Sequence, residues 1–197
     1  MMSRKFFWTG TLTVAAAGLL TGALIADHLL HRPVRTTRAA WKEVYKAPGE
    51  LVHRVDAIVL ATAVDVQPGR IATSDNEEDV LRFQLVSFDV LRGLKGVDDG
   101  ERITLERAVA SNGGILLDFD GGDFEMGQHY LLFLKRQEDG SPYFYQVNDQ
   151  GRFRIANDRL VAVARDDKVA AHFDQRTVRE ALALVRTNLR AQSPRVQ

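Results

Sequence analysis

Asp118, Asp120 and Asp123, spaced by Phe119, Gly121 and Gly122, form the most chemically suggestive stretch of this 197-residue chain. Carboxylates on a glycine-rich loop are hard oxygen ligands of the kind Ca²⁺ takes. Read as a calcium loop opening at Asp118, the pattern breaks. Gly122 falls where a ligand is wanted, and His129 where the bidentate glutamate belongs. Acidic, glycine-rich segments are also ordinary solvated connections, and the broken pattern favours that reading. Asp118, Asp120 and Asp123 are thus the weak metal candidates, and no cofactor is expected.

Other chemistries find less. The five histidines, His28, His31, His53, His129 and His172, form no complete ligand set on a shared element. His28 and His31 flank an apolar run, where interfacial positioning explains them. There is no cysteine and no Gly-x-Ser-x-Gly elbow. Ser111 before Asn112-Gly113-Gly114 reads as a turn. Glu101, Glu106 and Glu125 are separated by loops, so spacing argues for no carboxylate pair. An enzymatic role is therefore not indicated. Phe83, Phe88, Phe144, Tyr145 and Phe153 are candidate stacking platforms for single-stranded nucleic acid. Their alternating strand positions place them in a core instead. With 26 basic and 26 acidic residues, the chain lacks the charge footprint of a nucleic-acid binder, so none is expected as a partner.

The strongest placement signal is N-terminal. Phe6 to Ala26 carries no charged residue, follows Arg4-Lys5 and precedes Asp27. At 1.5 Å per helical residue it is about long enough for the roughly 20-residue crossing of a bilayer. A cleaved signal peptide has a shorter apolar region, of about 7–15 residues. Cleavage after Ala23 is the alternative, and a buried core helix is disfavoured because it lacks a polar stripe. Residues 1–5 read as a basic tail, 6–30 as a transmembrane anchor or uncleaved signal, and 31–49 as a linker with a short helix. Arg32, Arg35, Arg38 and Lys42 outnumber Arg4 and Lys5, which by count favours an internal domain. A short basic tail before an apolar run resembles an export signal, however, and long domains translocate largely regardless of charge. The reading adopted is a single-pass membrane protein with its domain outside the cytoplasm.

Residues 50–191 must carry any site, and their period is two. In Ala57 to Val66, Ile58, Leu60, Thr62, Val64 and Val66 alternate with smaller residues. The small side suggests close approach of another backbone or helix. Gln67 to Asp79 reads as an acidic loop. In Val80 to Arg92 the apolar phase slips between Leu85 and Val86, which predicts a bulge there and buries both Phe83 and Phe88. Further strands are expected at Arg102–Glu106, Gln128–Lys135, Pro142–Val147, Arg152–Ile155 and Leu160–Val163. Tyr130 to Leu134 is apolar on both faces and should be central and covered. A helix over about 174–191, capped by Asp174 or Thr177, closes the domain before a tail at 192–197.

Several of these segments resemble a known module. Val55-Asp56-Ala57-Ile58-Val59, Phe83 to Val90 leading into Leu91-Arg92-Gly93-Leu94-Lys95-Gly96, Gly127 to Leu134, and Gln150-Gly151-Arg152-Phe153 resemble the OB-fold domain of tissue inhibitors of metalloproteinases and netrin-like modules, and a loose set of bacterial envelope proteins. The resemblance implies a mainly β chain: a small OB-type barrel with a C-terminal α-helix, here preceded by the N-terminal transmembrane helix. Those inhibitors chelate a protease zinc through an N-terminal cysteine, which this chain lacks, so inhibition does not follow. The expected function is a membrane-anchored binding or scaffold domain whose partners are the membrane and a protein of the envelope. The alternatives are a protease modulator using the loops 67–79 and 108–123, or an envelope enzyme with an unrecognised site.

The full-length chain should fractionate with membranes, and deleting residues 1–32 should yield a soluble, folded domain. Intact full-length protein in the soluble fraction would contradict the anchor.

Overall fold

Period-two patterning leaves most of this chain one option, to pair strand against strand until both apolar faces are covered. The structure, a computed structural model, describes residues 36–38, 44–73, 80–110, 116–118 and 123–191. The apolar run Phe6 to Ala26 and the tail 192–197 lie outside them. Among the described residues no helix is long and apolar enough to cross a membrane.

The elements are β1 (Thr36–Arg38), α1 (Pro48–Arg54), β2 (Ala57–Thr73), β3 (Val80–Lys95), β4 (Arg102–Ala110), β5 (Leu116–Asp118) and β6 (His129–Arg136). They continue with β7 (Phe144–Gln146), a 3₁₀ turn (Asp149–Gly151), β8 (Arg152–Ala156), β9 (Arg159–Ala162), α2 (Lys168–Ala171) and α3 (Val178–Ala191). The fold is mainly β with a C-terminal helix. The sheet runs β1-β5-β4-β3-β2-β6-β8-β9. The short β7 pairs with both β4 and β6, through Leu105↔Phe144 and Arg136↔Phe144 among others. The pairings β4–β3–β2–β6–β7 thus return to β4, and the sheet is ring-like.

Two apolar clusters follow from this. On one face lie Val59, Ala61 and Ala63 of β2, Val86, Phe88 and Val90 of β3, Leu105 of β4, and Tyr130, Leu132 and Leu134 of β6. The small face of β2 meets rings here, rather than the backbone or helix expected of it. Phe88, Phe124 and Tyr130 pack edge to face, with centroids 5.0, 5.1 and 6.3 Å apart. On the other face Ile58, Leu131, Phe133 and Phe153 meet Leu51, Phe173, Ala181 and Val185 of the helical layer. Strand β6 is covered on both sides, as its sequence requires.

The chain enters this layer at Tyr45, which is buried while Val44 faces solvent. Pro48 opens α1, and Lys95 Nζ closes it by donating to the carbonyls of Val52, His53 and Val55 at 3.2, 2.8 and 2.6 Å. Gly96 then turns the chain at φ +68°, where an added Cβ would lie 2.1 Å from the Asp56 carbonyl oxygen. Thr177 rather than Asp174 caps α3. Its N–H and hydroxyl both donate to Glu180, at 2.9 Å each, and its hydroxyl accepts from the Glu180 N–H at 3.3 Å, a reciprocal capping box. Asp174 accepts instead from the Ala162 N–H of β9, at 2.8 Å. Asp167 caps α2, which sequence periodicity did not anticipate, through the N–H groups of Val169 and Ala170.

The irregularities of the long β2–β3 pair fall elsewhere than expected. Pairing is continuous through Gln67↔Leu85, Val66↔Val86 and Asp65↔Ser87. Register shifts occur at Ala63/Asp65 and Pro68/Ile71 on β2, and opposite Ile58/Val59 and Leu60/Ala61, where β3 supplies the extra residue. Pro68-Gly69 therefore interrupts a strand rather than starting a loop. A Cβ on Gly69 would come within 3.0 Å of the Phe83 backbone, so glycine allows the close pairing. With no slip at Leu85, Phe83 keeps the parity opposite to Phe88. It is half-buried, and the Arg70 guanidinium carbon lies 4.7 Å from its ring centroid.

The two phenylalanines should therefore differ in chemical denaturation. Phe88→Ala should cost about 3–5 kcal/mol as a fully buried ring. Phe83→Ala should cost less than about 1.5 kcal/mol, since part of its ring is already in water. Equal losses would restore the bulge at Leu85-Val86.

Candidate functional site

Three carboxylates were the metal candidates, and the structure describes the side chain of one. Asp118 belongs to β5, Asp120 lies outside the described residues, and Asp123 pairs with Arg107 at 3.1 Å. Among the described residues no group of three metal-ligating side chains converges. His129 bonds Thr62 at 2.8 Å, while His53 sits on α1 and His172 follows α2. The expected loops at 67–79 and 108–123 are described only in part.

A different arrangement emerges where Asp123 enters the fold. Ile103, Leu105 and Arg107 share one face of β4, so the parity that buries the first two turns Arg107 the same way. Its side chain is only 12 % exposed. Arg152, at the first position of β8, is buried as well. Both guanidiniums lie against Phe124, at 3.8 Å from its ring centroid for Arg152 and 5.7 Å for Arg107. Tyr130 adds a second ring 5.6 Å from Arg152. Such stacking suits a planar, weakly hydrated cation over the negative face of a ring.

Two like charges held this close need compensation. Burial is the largest influence on each guanidinium and pulls its pKa below the ordinary arginine value. Asp123 and then Asp149 oppose that for Arg107, and Tyr130 and then Asp149 for Arg152. Asp149 is buried and accepts from the Gln146 amide at 2.8 Å. Around it Asn148 and Gln150 continue the network. The Gln150 amide accepts from the Tyr45 N–H at 2.9 Å, donates to its carbonyl at 3.0 Å and donates to Asp167 at 2.8 Å. One glutamine side chain thereby fixes the entering chain to the cap of α2.

Beside this polar core lies a groove of about 810 Å³. Its floor is Tyr130, Arg152 and Arg154. Asp123, Glu125 and the segment Val161 to Asp167 complete its lining. Arg152 donates to the Asp123 carbonyl at 2.9 Å, the Glu125 N–H donates to the Tyr130 hydroxyl at 2.9 Å, and Arg154 faces Glu125 at 3.6 Å. The groove thus presents acceptors and donors side by side, fixed by backbone contacts. Sequence reasoning missed it because arginines at strand positions read as solvent-facing. The signal was the parity of Arg107 with Ile103 and Leu105.

Compared with known proteins, the chain matches no family model and no curated protein.

Asp149→Asn keeps shape but removes the charge that Arg107 and Arg152 share. With Asp123 still paired to Arg107, weakening the compensation of these buried cations should cost about 1–3 kcal/mol, read in urea unfolding. Arg152→Met, which removes one of the two repelling charges, should cost less. The reverse ranking would contradict the assignment of Asp149 as the shared counterion.

Proposed function

We propose that this chain is a membrane-anchored binding module, with its domain outside the cytoplasm on an OB-type barrel, and that the groove beside Arg152 receives an extended segment of a partner protein. The barrel reading is supported by the return of the pairings to β4 through β7 and by the register shifts that coil β2 around β3. The attachment reading is supported by the uncharged run Phe6 to Ala26. The observation that carries the function is the groove itself. Arg152, Arg154, Asp123 and Glu125 are set by mutual and backbone contacts, so the donors and acceptors are positioned before any ligand arrives. An extended polypeptide offers alternating carbonyl and N–H groups that match such a lining.

A photo-crosslinking residue at Val163, in the groove wall, tests this in full-length protein within native membranes. It should trap a discrete protein adduct that the same residue at Asp139, in the β6–β7 hairpin, does not. Identical patterns from both positions would overturn the groove as the binding site. Protease added to the outer face of sealed membranes should cleave the domain; full protection would overturn the external placement.

A further inference from the structure

We propose that the exposed flank of α3, with the adjoining end of β3, is a docking surface for an anionic phospholipid bilayer. This rests on the membrane attachment proposed above. A second groove, of about 490 Å³, opens between α3 and the β2–β3 pair. Its floor is apolar, with Leu60, Val178 and Leu182 half-buried, and Leu91 stands at its rim 48 % exposed. Arg92, Arg179 and Arg186 line it against a single carboxylate, Asp158.

The basic character continues along the helix. Arg179, Arg186 and Arg190 follow one another at i, i+7 and i+11, so they form one stripe on α3. Among the described residues no hydrogen bond or ion pair engages these three guanidiniums, whereas Arg92 faces Asp99 at 3.4 Å. The stripe of positive charge beside protruding leucine is therefore not consumed inside the domain. Basic residues flanking an exposed apolar strip are the composition that seats a helix in the headgroup region of an anionic surface.

Charge complementarity, with the shortness of the tether, favours a bilayer over a protein as the occupant. The first helix of the domain lies in this same layer: Gly49 of α1 packs so closely on α3 that an added Cβ would lie 3.1 Å from Asn188 Oδ1. Residues 27–35, which join the apolar run to β1, reach at most roughly 30 Å when fully extended. With the run in a bilayer, the domain that carries the basic flank is held at high local concentration beside the lipid surface.

The absence of cysteine makes the test direct. Ala183, exposed on α3 between Arg179 and Arg186, is changed to cysteine in the full-length chain and labelled with a polarity-sensitive dye. The protein is reconstituted in vesicles of phosphatidylcholine alone or mixed with phosphatidylglycerol. Dye emission should shift to the blue only in the mixed vesicles and return on adding salt, because exposed charges are screened within a Debye length of about 8 Å at physiological strength. The shift should vanish in R179E/R186E and weaken in Leu91→Ser, two surface variants whose thermal unfolding should match the parent. Equal emission in both lipids, or a shift that survives salt and charge reversal, overturns the docking surface. Flotation with neutral vesicles reports on attachment separately, so either reading can fail without the other.

Discussion

Strand β6 is the constraint on which the domain depends. Tyr130 to Leu134 are all buried, so neither face of this strand tolerates solvent. One face demands the ring-like sheet, and the other demands the helical layer. Neither cluster closes without it: Tyr130, Leu132 and Leu134 meet the rings of Phe88 and Phe124, while Leu131 and Phe133 meet Phe153 and Phe173. Each cluster carries its own triad of aromatic rings packed edge-on or tilted, with centroids between 5.0 and 6.3 Å. The ends of the elements are then tied by single polar groups, Lys95 at the end of α1, Gln150 at Tyr45 and Asp167 at α2.

The same geometry creates the polar groove. A sheet that curls has ends where inward-facing positions run out of apolar neighbours, and Arg107 and Arg152 occupy them. Their guanidiniums lie over the ring of Phe124. Asp149 offsets part of the cost of burying two cations, and it is held by the network of Gln146, Asn148 and Gln150. The proposed ligand site and the fixation of the entering chain are thus one hydrogen-bonded system.

Much of this was legible in the residues, for physical reasons. Alternation marked β2, β4 and β8, the run Tyr130 to Leu134 marked a strand covered twice, and Thr177 with Glu180 marked the start of α3. The errors share a cause. Parity in Val80 to Arg92 was assumed to serve one core, so a bulge was placed at Leu85; instead the apolar residues of that strand divide between two faces, and Arg70 shields Phe83 on the second. Pro68-Gly69 was read as a loop because a bulged strand and a turn use the same residues. The stacked arginines escaped notice because charge suggests solvent when no partner is visible. Asp123, chosen for its neighbours in sequence, found its role through Arg107, its neighbour in space.

Closure of the sheet through β7 is the central structural claim, and it hangs on the single pair Leu105↔Phe144. Nuclear magnetic resonance of the isotopically labelled protein tests it most directly. The account predicts cross-strand contacts between the backbone protons of Leu105 and Phe144, together with slowed amide exchange along that seam. Strong contacts between β6 and β7 with none from β7 to β4, and rapid exchange at Phe144, would mean an open sheet and would contradict the account.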